Sequence, residues 1–137
     1  MDEFLPVLAQ IVLVLDFQDA LIGPVTYDLV SLLRDCYISW PRERVVRWVW
    51  NYLAVMQADG GLKDVEAEQF MRWFDFMGVQ RHLKAIGIFA RLNYRDNKPG
   101  YLPDIPRTLG YVMAVCGQYP ELHSLRQLLE RVTSQPR

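Results

Sequence analysis

The chain is poor in the residues that most metal and nucleophile chemistries require. It has two histidines and two cysteines in 137 residues. Cys36 and Cys116 lie far apart, with no CxxC pair and no nearby histidine, which fits buried thiols better than a disulfide or a zinc site. His82 and His123 have no second ligand three or four residues away, so zinc is disfavoured and a satisfied or exposed histidine is expected at each. A serine hydrolase would need a Gly-x-Ser-x-Gly elbow, and none is present. Charge of one sign is also lacking: 15 basic and 16 acidic residues leave a net charge of -1, which favours neither nucleic acid nor an anionic membrane surface. Apolar runs such as Ile11 to Leu15 fall far short of the roughly 20 residues that span a bilayer, and Asp2 and Glu3 spoil a signal-peptide reading. The expectation is a cytoplasmic protein with no nucleic-acid or membrane partner.

Apolar residues are abundant: a hydrophobic content of 51% excludes an intrinsically disordered chain, and the length suits one domain over residues 1–137. Residues 11–15 are leucine or β-branched throughout, as in a short strand buried on both faces. From Thr26 to Ile38, Leu29, Leu32, Leu33, Cys36 and Tyr37 recur at helical spacing, with Arg34 and Asp35 expected to face away. Pro41 suits the first turn of a second helix, whose face carries Val45, Val46, Val49, Trp50, Leu53 and Met56 until Asp59-Gly60-Gly61 stops it. A third helix is expected from about Asp64 to Arg95, with a stripe of Phe70, Trp73, Phe74, Met77, His82, Ile86, Phe89 and Leu92. Three prolines and a glycine between Asn97 and Pro106 break it. Helices resume at about Arg107 and again at Pro120, the last one closing with Leu122, Leu125, Leu128, Leu129 and Val132. The fold class is therefore mainly α, about five helices plus one short N-terminal strand. Residues 1–10 read as an atypical leader, 11–20 as strand and turn, and 26–132 as a helical subdomain.

The strand delivers Asp16-Phe17-Gln18-Asp19-Ala20, followed by Gly23-Pro24 and then Tyr27-Asp28-Leu29-Val30-Ser31-Leu32-Leu33. A strand that ends in a charged turn brings a carboxylate to the edge of a sheet, where a hard cation such as magnesium can be held through oxygen. Taken alone, Asp16 reads more readily as a strand-capping or turn-forming residue than as a metal ligand. The whole run resembles the aminoglycoside phosphotransferase and choline kinase superfamily, whose metal-binding turn precedes a Gly-Pro step and a Pro-x-x-Asp-Leu-Ala-like helix start. Here Pro24-Val25-Thr26-Tyr27-Asp28-Leu29 carries one additional residue before the Asp. The segment from Asn93 to Arg107 resembles the branch containing bacterial N-acetylmuramate/N-acetylglucosamine anomeric kinases.

The resemblance implies the C-terminal helical lobe of a protein-kinase-like fold, working with Mg2+ and ATP on a sugar or amino-alcohol hydroxyl. It makes Asp16 the metal ligand and gives Asp28 a supporting role for the catalytic-loop backbone, against the alternative of a helix-capping carboxylate. Gln18 and Asp19 are accessory candidates, or simple turn residues. Tyr101 is a candidate wall of the acceptor pocket. Other aromatics, and basic residues including Arg42 and Arg72, read as packing and solvated faces.

The family's Gly-rich loop, strand lysine and His-x-Asp loop have no counterpart in residues 1–15. The expectation is therefore an isolated chain with negligible turnover. The rival is a non-catalytic helical module that forms homo-oligomers through the unpaired strand 11–15.

Overall fold

The structure is a computed structural model that describes residues 23–134. Five α-helices follow in order: α1 (Tyr27–Leu33), α2 (Arg42–Ala58), α3 (Ala67–Asp96), α4 (Ile105–Cys116) and α5 (His123–Ser134). Short 3₁₀ turns, Pro99–Asp104 and Pro120–Leu122, lead into α4 and α5. The expected helical architecture is thus observed. The expected strand, its metal turn and the self-association tied to it lie outside the described residues. No helix among the described residues is long and apolar enough to cross a membrane.

The ends of these helices follow local chemistry. Pro41 supplies an extended residue at φ -55° and ψ 138°, and its carbonyl accepts from the Arg44 and Val45 N–H groups to open α2. At the far end, Gly60 adopts φ +90°, a left-handed conformation that costs glycine little, and the Gly61 N–H returns to the Met56 carbonyl. Asn97 takes the same role after α3 at φ 52°, while the Lys98 N–H reaches back to the Leu92 carbonyl. Pro106 sits in the first turn of α4, where its missing N–H has no partner to lose. That helix therefore begins two residues before the expected Arg107.

The long helix α3 is the spine. Its first half, through Phe70, Met71 and Phe74, packs with Leu29, Val30 and Leu33 of α1 and Val45, Val49 and Leu53 of α2. Its middle contributes Val79 to a second cluster with Val112, Val115 and Cys116 of α4, flanked by half-buried Leu122, Leu125 and Leu129. Both cysteines are free: Cys116 is buried and Cys36 half-buried.

Several expected faces differ. The first helix stops at Leu33 instead of continuing to Ile38, because Arg34 turns inward to an ionic partner on α3 and leaves helical geometry at φ -131°, ψ 54°. Arg34 is consequently buried, not facing away, while Tyr37 is 55% exposed. Trp50 is half exposed and Trp73 also reaches solvent, since Val49 and Phe74 already occupy the adjoining core positions. Helix α3 starts at Ala67, three residues after Asp64.

Candidate functional site

Of the residues expected from sequence to meet a ligand, Asp16, Gln18 and Asp19 lie outside the described residues. Asp28 lies in the first turn of α1, exposed to solvent, where its charge complements the positive end of the helix. Thr26, not Asp28, occupies the N-cap position, and it makes no side-chain cap hydrogen bond. Tyr101 lies in the 3₁₀ turn before α4, partly exposed, its ring stacked on Phe89 at 5.6 Å between centroids and 11° between planes. Among the described residues, no group of three His, Cys, Asp or Glu side chains is placed to hold a metal ion.

Where the described chain begins, Pro24, Val25 and Thr26 form one wall of a groove of about 480 Å³. Trp73, Phe76, Met77 and Gln80 of α3 form the other. The groove is mainly apolar, with Thr26 and Gln80 among its lining residues. Its first wall begins at the Gly23-Pro24 step.

Between Trp73 and Phe76 along α3 stands Asp75, the centre of an ionic cluster that the spacing of apolar residues did not reveal. Asp75 is fully buried and accepts four hydrogen bonds. Arg34 Nη2 donates at 2.7 Å, Arg42 Nη1 and Nη2 each donate at 2.7 Å to separate carboxylate oxygens, and the Tyr119 hydroxyl donates at 2.8 Å. Arg34 and Asp75 are buried and Arg42 is about a third exposed; charges this far from water persist only when the carboxylate is fully hydrogen-bonded, as it is here. The cluster ties the end of α1, the start of α2, the third turn of α3 and the α4–α5 connection to one carboxylate. Burial, then the hydrogen bond to Asp75, pushes the Tyr119 phenol up to about 12, so it stays a donor. Burial pulls Arg34 below the ordinary arginine value, although Asp75 opposes it. For Arg42 the Asp75 contacts outweigh burial and the value rises. Arg42 and Arg72 are therefore not simply solvated: Arg72 lies 4.4 Å over the Phe76 ring and pairs with Glu121 at 3.0 Å. Only the isolated positions of an Asp inside an aromatic stripe and an Arg at a helix end could have signalled the arrangement.

A second set of contacts holds the connection between α1 and α2. His82 Nε2 lies 2.9 Å from the Arg34 carbonyl, Arg107 Nη1 donates to the Cys36 carbonyl at 3.0 Å, and the Tyr111 hydroxyl donates to the Ile38 carbonyl at 2.8 Å. Because a carbonyl only accepts, His82 carries its proton on Nε2. Its buried Nδ1 then has no partner, so the histidine is half satisfied, unlike either outcome expected from sequence. Burial lowers its pKa, and the nearby Arg34 and Arg81 charges add to that.

The family described as "Phosphotransferase enzyme family" matches residues 9–74, which include the Asp16 turn, α1, α2 and the first turns of α3 leading to Asp75. A relative from Pseudomonas putida named N-acetylmuramate/N-acetylglucosamine kinase is 53% identical over 85% of this chain and 34% of its own length. Relatives of the same name from Neisseria meningitidis and Pseudomonas aeruginosa are 56% and 49% identical, over 85% of this chain and 35% and 34% of theirs. This chain thus spans about a third of the length of the curated relatives it matches. No solved structure matches it. More than half the matched positions are identical to two of these kinases, and residues 9–74 match the phosphotransferase enzyme family, in line with the resemblance the sequence carries.

Proposed function

We propose that this chain carries the metal-holding turn and helical lobe of an ATP-dependent phosphotransferase acting on a hydroxyl of an amino sugar. The acceptor is of the N-acetylmuramate or N-acetylglucosamine type. The observation that carries this reading is the identity of 53% and 56% to kinases so named, over 85% of the chain. Asp16 is the residue to hold Mg2+, and Gln18 and Asp19 stand beside it in the same turn. Bound there, the ion would neutralise charge on the β- and γ-phosphates of ATP. The chain's own contribution is positional. Gly23-Pro24 joins the turn to α1, and the Arg34–Asp75 pair fixes the other end of that helix. Asp28, exposed on the first turn of α1, is available to receive backbone N–H donors from a catalytic loop. Tyr101 offers a ring to the acceptor.

Calorimetric titration of the full chain with Mg-ATP tests the assignment. Binding is expected, and Asp16→Ala is expected to weaken it at least about tenfold through loss of a charged metal ligand. Equal affinity in both proteins would remove Asp16 from the role, and a wild-type chain that binds no Mg-ATP would remove nucleotide binding from this chain.

A further inference from the structure

The connection over residues 34–40 has an unusual division between backbone and side chains. Alternate carbonyls along it, those of Arg34, Cys36 and Ile38, are each held by a side chain from α3 or α4. The Tyr37 N–H is closed off locally by Asp35 Oδ1 at 2.8 Å. Yet Tyr37, Ile38 and Trp40 remain 55%, 50% and 37% exposed. Packing alone does not account for this, because a loop pinned for the sake of the core would turn its large apolar side chains inward. A rigid backbone presenting aromatic rings to water is instead the arrangement that lowers the ordering cost of binding.

The exposed rings also converge. Phe89 is buried between Tyr37, at 6.5 Å centroid to centroid, and Tyr101, at 5.6 Å. Both tyrosines contact this one buried ring and reach solvent themselves. Its rim is polar and of both signs. Asp35 is exposed and engages the Tyr37 N–H through one oxygen, while half-exposed Arg107 lies 3.3 Å from Asp104. Flat apolar rings bordered by carboxylates and a guanidinium suit a pyranose, which has one C–H face and a rim of hydroxyls that both donate and accept.

We propose that Tyr37 and Tyr101, set around Phe89 and framed by Asp35, Asp104 and Arg107, form a prebuilt platform for the pyranose ring of the acceptor amino sugar. The inference rests on the phosphotransferase reading for the identity of the sugar, and it adds Tyr37 and the pinned connection as the elements that receive it. Tyr37 and Tyr101 are the stacking residues. His82 and Tyr111 are positioning residues that act through the backbone they hold.

Saturation-transfer NMR of the full chain with N-acetylglucosamine and N-acetylmuramate tests the platform. Irradiating aromatic protons is expected to transfer signal to the sugar ring protons. Tyr37→Ala is expected to weaken binding about five- to tenfold, the range of one lost aromatic contact, while Tyr37→Phe retains it. Tyr94→Ala, on an 82% exposed ring of α3, is expected to leave affinity unchanged. Since Tyr37 is more than half exposed, its removal leaves the core intact, and a thermal melt of each variant verifies this. Unchanged affinity in Tyr37→Ala overturns the platform. So does a wild-type chain that gives no sugar signal, or a surface that only pairs two copies of the chain, seen as dimerisation lost in Tyr37→Ala. Mg-ATP binding that depends on Asp16 without sugar binding would sink the platform and leave the phosphotransferase reading standing. Sugar binding without Mg-ATP binding would do the reverse.

Discussion

The two ends of helix α3 sit in different surroundings. The first half is wrapped by α1 and α2 in a cluster that includes Phe70, Phe74, Val49 and Leu53, all essentially excluded from water. Further along, Val79 and Leu83 join a smaller cluster with α4, and α5 closes it without burying a single residue completely. Asp75 stands between the two and is bonded to partners on both sides: Arg34 and Arg42 from the first, Tyr119 from the second. Stability should therefore be concentrated in the N-terminal half and at its junction. The C-terminal half, with its exposed Tyr101 and the pinned 34–40 connection lying against it, is the face available for binding.

The sharpest way to break that comparison is to remove the junction. Asp75→Ala is expected to cost about 3–5 kcal/mol in urea denaturation, because it leaves Arg34 buried and unpaired and strands Arg42 and the Tyr119 hydroxyl. A cost under about 1 kcal/mol would mean that water replaces the carboxylate and that the two clusters are not joined through it. Next comes a direct contrast between the halves. Leu53→Ala, at a buried site of the first cluster, should cost about 2–5 kcal/mol. Leu128→Ala, on the half-exposed face of α5, should change stability by no more than about 0.5 kcal/mol. Similar losses at both positions would show that the second half is as tightly built as the first.

A smaller effect depends on pH and resides in His82. Its folded-state pKa is depressed by burial, whereas the unfolded histidine titrates near its ordinary value of about 6.5. The unfolded state then binds more protons over that interval. Stability is complete above about pH 6.5 and is lost as the pH falls below it. His82→Gln should flatten this part of the profile relative to the wild type, and denaturation midpoints compared at about pH 7.5 and about pH 5.5 will register the difference. Identical slopes would exclude His82 as the source. The mildest prediction is a gain. Gly87 lies within α3, and a methyl group added there would meet nothing within 4 Å, so Gly87→Ala should stabilise by about 0.5–1 kcal/mol, read as a shifted urea midpoint.

Much of the helical frame was legible because its signals are local. Asp59-Gly60-Gly61 ends α2 through a left-handed glycine, the Pro/Gly run after Asp96 ends α3, and Pro120 marks a new start. Periodicity also identified Leu29, Val45, Val49, Leu53, Phe70 and Phe74 as core. It failed at Arg34, Tyr37, Trp50 and Trp73, since periodicity assigns a side to each residue but not the partner waiting there. Arg34 is drawn inward by a carboxylate 41 positions away, which ends α1 early and turns Tyr37 outward. The expected metal turn, Asp16 to Ala20, lies outside the described residues, and the stretch that carries it matches a phosphotransferase family over residues 9–74. Tyr37 was not legible as a candidate ligand residue, because its exposure follows from hydrogen bonds to its neighbours' carbonyls.

By itself the sequence determined that this is a helical chain, since caps, breakers and apolar spacing act over a few residues, and its run from Asp16 to Ala20 carried the resemblance to phosphotransferases. Only the tertiary structure decided which charges are buried together and which aromatics are left to solvent. Those outcomes depend on α1, α2, α3 and α4 meeting at Asp75 and along the 34–40 connection, where long-range hydrogen bonds override the face a side chain would take in an isolated helix.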